Sequence, residues 1–396
     1  MNVNDKYDLP SRSPQELGNA DEGSVSDENT PEKRWTVREL SEAPPELRAH
    51  IQRTRREMVA RGFSGPDPIK LDFQDFTFRA IGNRLYWRER QSTYVDFLLD
   101  LIKFAFGPKW HKQQIETEES QRHLVMQWAM SWYRHCMKVE AEQNTGETTI
   151  FRAEPTGDAQ ALLTLADDLY RLQLARSLTS ELMRRLRSPE SFQGARYEIQ
   201  VASIFLRSGF DIEWVSEKEK KHCEFYAVHL HSRQRVAVEA KSRKRPGVLG
   251  QAGEFRLNHP WGLEKPYDEA RQQNPGTCPF CIFIDVNWPV QPHLPKWQKP
   301  WMGEVYRLAQ KYNPTPSNPE TVTLSAFTNY SWHYQGGGLA LPHETLISWP
   351  LHPTYAITDV ATCDALAKSI FTYGVQIEES PSPMIDESVL DQLAAL

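Results

Sequence analysis

The sequence predicts a mixed α/β protein in which an all-α region precedes a region of strands and helices. Three observations carry this. Apolar residues recur at helical spacing in several segments between residues 92 and 188. In CEFYAVHLHSRQRVAVEAKSRKR, residues 223–245, the spacing changes to the alternation of half-buried strands. PFCIFIDVNW, residues 279–288, is a short and almost wholly apolar run of the kind that fills a central strand.

The remaining elements follow in order. Residues 1–33 are rich in Asp, Glu, Ser, Asn and Pro with almost no large apolar side chains, so they are expected to stay unstructured. Residues 34–188 are assigned to a helical domain. Its first helix runs from Pro45 to Arg61, ends at Gly62 and turns its arginines to water. The stretch LDFQDFTFRAIGNRLYW admits either strand or an irregular lead into the next helix. That helix is capped by Ser92 or Thr93, carries Tyr94, Phe97, Leu98, Leu101, Ile102 and Ala105 on one stripe, and stops at Gly107-Pro108. Another begins near Glu118, with Leu124, Trp128, Trp132 and Cys136 beside a parallel apolar row. A further one is expected after Gly157-Asp158, with the aspartate as cap, continuing through Leu162 and Leu182 to Leu186 before Pro189. These aromatic stripes read as core.

Residues 189–376 form the α/β domain. FQGARYEIQVASIFLRSG reads as a helix ended by Gly209, DIEWVSE as a strand, and the 223–245 stretch as a hairpin. A helix near Tyr267–Gln273, the strand at 279–288 and a strand over 322–334 complete it, and residues 377–396 form an acidic tail.

Composition narrows the class. With 396 residues the chain can hold two domains, and twelve tryptophans exclude a wholly disordered one. No run of about 18 uncharged apolar residues suggests a membrane span, and the N-terminus lacks a signal-peptide pattern, so a cytoplasmic protein is expected. Five cysteines without framework spacing point to reduced thiols. The net charge of −6 gives no global attraction to nucleic acid, so any such binding requires a local basic patch.

The hairpin separates chemistry from packing. With its turn at His231-Ser232, Glu224 falls opposite Glu239 and their carboxylates share a face. Lys241 lies two residues further on the same face, while Phe225, Ala227, Val236 and Val238 face a core. Glu198 shares a helical stripe with Ala202 and Phe205, so it points toward packed surface and needs a partner. Carboxylate oxygens are the ligands Mg²⁺ prefers, and a lysine held charged between carboxylates can donate to negative charge developing on a phosphate.

Over residues 191–290, the order helix, strand, strand with an acid, strand with Glu-x-Lys, helix, strand resembles the PD-(D/E)xK, or restriction-endonuclease-like, superfamily. The resemblance implies an αβββαβ core with a mixed sheet. It also implies that Glu224 and Glu239 bind Mg²⁺ or Mn²⁺, that the carbonyl of Ala240 is a further ligand, and that Glu198 sits near the metal. Lys241 would position and activate the attacking water. The family usually has aspartate where this chain has Glu224 after Cys223.

Arg243, Lys244 and Arg245 follow the triplet and are candidates for gripping backbone phosphates, with Lys218, Lys220 and Lys221 weaker ones. Cys278 and Cys281 lack a second ligand pair and read as buried thiols, and His333 reads as structural. No phosphate-loop, G-x-S-x-G or H-E-x-x-H motif competes.

The expectation is therefore a metal-dependent nuclease that hydrolyses DNA, with RNA left open, in restriction or defence against foreign DNA. The helical region would serve partner binding or homo-oligomerisation. One alternative is a nuclease fold without activity that binds nucleic acid or scaffolds. Another is a glycosidase using Glu224 and Glu239 as paired carboxylates.

Overall fold

The structure is a computed structural model that describes residues 36–39, 41, 45, 48–49, 51–53, 56, 69–73, 76–81, 84–89, 92–144, 151–215, 222–256, 262–312, 314–317, 319–350, 352–375 and 377. The expectations for residues 1–33, for Lys218, Lys220 and Lys221 and for the tail from Glu378 lie outside them. Of the helix expected over 45–61, Pro45, Arg48, Ala49, residues 51–53 and Arg56 are helical, and Ile51 is buried.

Four strands open the described chain: β1 (Thr36–Glu39), β2 (Ile69–Phe73), β3 (Phe76–Ile81) and β4 (Arg84–Glu89). They form an antiparallel sheet in the order β1-β4-β3-β2. This corrects the expectation that residues 34–188 are all-α. The aromatic alternation in this stretch is a true strand period, and the Gly82-Asn83 pair between β3 and β4 is a hairpin signal. Phe78 and Trp87 face each other and stack, with ring centroids 6.5 Å apart. The sheet rests on the next helix through the Arg79 guanidinium, 4.8 Å from the centroid of the Phe97 ring, and through Tyr86, edge-on to Phe97.

Helix α1 (Tyr94–Phe106) begins in a capping box, where Thr93 Oγ1 accepts from the Asp96 amide at 3.2 Å and Asp96 Oδ2 accepts from the Thr93 amide at 2.9 Å. Helix α2 (Pro108–Glu116) follows Gly107, and α3 (Leu124–Gln143) starts later than Glu118 because His123 Nδ1 accepts from the Val125 amide. The stripe read as one helix to Leu186 is two, α4 (Gly157–Leu174) and α5 (Ser180–Arg187). Thr156 rather than Asp158 caps α4, Thr179 caps α5, and Arg176 at φ 55° turns the chain between them. Gly157 is required where it stands, since a Cβ would collide with the Trp332 carbonyl.

Helix α6 (Pro189–Arg207) has Pro189 in its first turn and ends before Gly209 at φ 83°. Then come β5 (Phe210–Trp214), β6 (Phe225–His229), β7 (Arg235–Ser242), α7 (Glu264–Arg271) and β8 (Phe280–Asp285). The chain continues through α8 (Pro300–Lys311), β9 (Leu324–Asn329), β10 (Glu344–Ser348) and α9 (Val360–Phe371). The strand expected over 322–334 thus ends at Asn329, and residues 332–334 form a 3₁₀ turn.

These strands make a six-stranded mixed sheet in the order β10-β9-β8-β7-β6-β5. β5, β6 and β7 run antiparallel, whereas β7, β8 and β9 are parallel. A parallel neighbour cannot be reached by a tight turn, so α7 connects β7 to β8. One apolar core runs from Leu101 and Leu162 through Phe205 to Phe225 and Phe283 on the sheet, crossing residue 188 without a break. On the opposite face Tyr267 of α7 and Trp301 of α8 cover Ala237, Ile282 and Ile284. Both faces of β8 are therefore buried, which is why its sequence is apolar throughout. Among the described residues no helix is long and apolar enough to cross a membrane.

Candidate active site

The hairpin pairs Phe225 with Val238, Tyr226 with Ala237 and Ala227 with Val236. Phe225, Ala227, Val236 and Val238 are fully buried in the core shared with α6. Side chains alternate along a strand, so this anchoring sends Glu239 and Lys241 to the other face. Glu224 stands just ahead of β6, where its amide donates to the Val238 carbonyl at 3.0 Å.

Lys241 joins the two carboxylates. Its Nζ lies 2.5 Å from Glu239 Oε1 and 4.0 Å from Glu224 Oε1. The Glu239 side chain is 1% exposed, against 22% for Glu224 and 29% for Lys241, so the group opens to solvent on the Glu224–Lys241 side. Glu198 on α6 is held by Arg185 of α5 in a bidentate pair with contacts of 2.6 and 2.5 Å.

Burial and mutual repulsion raise all three carboxyls. Glu239 is pushed up to about 7, chiefly by burial, with Lys241 opposing and Glu198 adding to the rise. Burial and then the charge of Glu239 bring Glu224 to about 7. Burial and then Glu224 bring Glu198 to about 7 despite Arg185. Burial would lower the Lys241 ammonium, but Glu239, Glu224 and Glu198 outweigh it and hold its pKa above the ordinary value.

No family model, curated protein or solved structure matches the chain. The site is therefore characterised by its own chemistry. Its oxygen donors suit a hard divalent cation, and Glu239 Oε2 is buried without a hydrogen-bond partner among the described residues. In this arrangement no group of three or more His, Cys, Asp or Glu side chains among the described residues forms a metal cage. Both oxygens of Glu198 are turned to Arg185. Glu224 and Glu239 thus fit a cation as a carboxylate pair, and Glu198 would fit after releasing Arg185.

The other expected residues divide. Ala240 lies between Glu239 and Lys241, buried and paired with Phe283 of β8. Of the three basic residues after the triplet, only Lys244 is exposed. Arg245 is buried, 3.7 Å from the Trp288 ring centroid and 4.6 Å from that of Phe255, and donates to the Asn287 and Arg256 carbonyls. Arg243 is buried with its guanidinium 5.9 Å from the Trp288 ring centroid. In this arrangement the two arginines are packed against aromatic rings, so the expected phosphate contact would require them to turn outward.

Cys281 lies fully buried in β8, and His333 is tied to Asn287 Oδ1 through Nε2 at 3.0 Å. Sequence reasoning missed Arg185, one of several arginines in SELMRRLR, and nothing in that run singles it out. It also missed Gln193 of α6. Its Nε2 donates to Ser242 Oγ at 2.8 Å and to the Arg243 carbonyl at 2.6 Å, fixing the end of β7 beside the site.

Proposed function

We propose that the chain is a metal-dependent nuclease that hydrolyses DNA phosphodiester bonds with Mg²⁺ or Mn²⁺ on a PD-(D/E)xK-type core. The observation that carries this reading is the convergence of Glu224, Glu239 and Lys241 on one face, with Glu239 Oε2 buried without a hydrogen-bond partner among the described residues. The succession of α6, antiparallel β5–β7, a connecting α7 and parallel β8 supports it, being the order that the family resemblance implies.

A bound cation would supply Lewis-acid polarisation of the phosphate and a water acidified enough to attack near neutral pH. Glu224 and Glu239 would hold it, with the Ala240 carbonyl as a further ligand. Lys241, kept charged by its neighbours, would donate to the non-bridging oxygen on which negative charge grows. The partly exposed Glu224 faces the side from which a DNA strand would enter. A role in restriction or defence, and a cytoplasmic setting, belong to the same reading.

The test is conversion of supercoiled plasmid with Mg²⁺, Mn²⁺ or EDTA, using wild type and Glu239→Gln. Cleavage that needs metal and is lost in the variant is expected; cleavage in EDTA, or equal cleavage by the variant, overturns the assignment. A second reading, DNA binding without hydrolysis, is favoured by the Arg185 clamp on Glu198. It predicts metal-insensitive DNA binding and no cleavage in any condition.

A further inference from the structure

Away from the carboxylates, a cavity of about 710 Å³ lies where β3 and β4 meet α1, the end of α4 and the start of α5. That is the size of a small-molecule site. Among the described residues its lining includes Arg84, Arg176 and Arg187 and no aspartate or glutamate. The nearest compensation is partial, since Arg84 lies 3.8 Å from Glu39 and Arg187 donates to the Ala105 carbonyl at 2.8 Å. Arg176 holds a left-handed backbone at φ 55°, uncommon for a residue with a side chain, and no hydrogen bond or ion pair among the described residues engages its guanidinium. Phe104, 37% exposed, also lines the cavity and offers an aromatic surface against which a flat ring can lie.

We propose that this cavity binds a small phosphate-bearing ligand of nucleotide size, gripped by Arg84, Arg176 and Arg187 with its ring against Phe104, and that α5 transmits the binding to the carboxylate site. Guanidinium groups match phosphate oxygens in pairs, and three of them around one concavity suit more than one phosphate. The link is the helix itself. Ser180, Met183 and Arg187 on one side of α5 line the cavity, while Arg185 on the other grips Glu198. A ligand that draws on Arg187 therefore pulls on the element holding a carboxylate of the site. This second half rests on the nuclease reading, whereas the cavity does not.

The experiment is calorimetric titration of the metal-free full chain with ATP, inorganic tripolyphosphate and a short DNA duplex. Saturable ATP binding is expected, tighter than tripolyphosphate. Losing two charge-assisted contacts in Arg176→Ala/Arg187→Ala should weaken it at least about tenfold, and Lys241→Ala should leave it unchanged. Arg84→Gln, at an exposed strand residue, serves if the double variant does not fold. No saturable ATP binding, or ATP binding that survives these changes, overturns the site; so does a loss confined to the duplex, which would make the cavity part of a DNA track. Hydrogen exchange at residues 180–187 should change with ATP. If it does not while ATP binds, the coupling fails and the nuclease assignment is untouched.

Discussion

Two buried acidic clusters in this chain look alike by charge and differ in completion. On α4, Asp167 is fully buried; its Oδ1 accepts from the Tyr94 hydroxyl at 3.0 Å, and its Oδ2 accepts from Arg171 Nε at 3.1 Å and from Arg207. Beside it Asp168 is raised to about 7, chiefly by burial, and accepts from the Tyr373 hydroxyl. Glu239 is as buried and also raised to about 7. A displaced pKa therefore does not tell the two clusters apart. What separates them is that Asp167, Asp168 and Tyr373 are all fully buried, whereas Glu239 stands beside a second carboxylate and a lysine that both reach solvent. A buried acid marks a site when the charged groups beside it open to solvent.

This contrast predicts opposite mutational outcomes. The largest effect belongs to the sealed cluster. Asp167→Ala leaves Arg171 and Arg207 without their counter-ion and should cost about 3–5 kcal/mol of stability, read from denaturant unfolding. A loss below about 1 kcal/mol would show that the cluster is not a structural lock. Lys241→Ala should instead leave the unfolding midpoint nearly unchanged and lower the rate of metal-dependent DNA cleavage by about 10²–10³-fold. If Lys241→Ala unfolds the protein while Asp167→Ala does not, the distinction is reversed and the site assignment falls with it.

How much of this was legible follows from which contacts are local. The hairpin register could be read because four apolar residues on two strands must share one face, and a one-residue slip would have put Glu239 in the core. Glu198 could be aimed inward from its helical stripe, and its need for a partner followed from burial. The partner could not be named, because Arg185 reaches it only through the packing of α5 against α6. The break between α4 and α5 was hidden because leucines continue at helical spacing across it. The small N-terminal sheet was ambiguous because its aromatic alternation is interrupted by charged residues, among them Arg79, which is buried against Phe97. Arg243 and Arg245 read as candidate phosphate contacts because Trp288 and Phe255, which pack against them, are not their chain neighbours.

A third prediction uses the pH dependence of the open cluster. Glu198, Glu224 and Glu239 have folded pKa values of about 7 against an ordinary 4.5. Between these values the folded chain retains protons that the unfolded chain has released. Their stabilising contribution is therefore complete below about 4.5 and is lost as pH rises through about 7. Metal-free protein should lose unfolding free energy between about pH 5 and 7.5, and Glu198→Gln/Glu239→Gln should flatten that slope. Asp168, raised in the same direction, contributes a residual slope that Asp168→Asn removes. Mn²⁺ should bind more tightly at pH 8 than at pH 6, since it displaces protons from the open cluster, and should do so equally in Asp168→Asn. Equal Mn²⁺ affinity at the two pH values would detach the cation from these carboxylates.

The smallest expected effect carries the same contrast to the cations beyond Lys241. Arg245 is sealed between Trp288 and Phe255, and Lys244, its neighbour in sequence, is exposed. Arg245→Lys keeps the charge but gives up the planar stack and the fork of donors, so it should cost stability of about 0.5–2 kcal/mol while leaving DNA affinity unaltered. Lys244→Ala should leave stability unaltered, weaken DNA binding modestly and lower the slope of log affinity against log salt by about 1. Measuring both quantities on both variants separates charge that holds the fold from charge offered to a phosphate backbone. If Arg245→Lys weakens DNA binding and Lys244→Ala does not, the buried arginine must turn outward when DNA arrives, and the sealed side of the comparison would have to include a moving part.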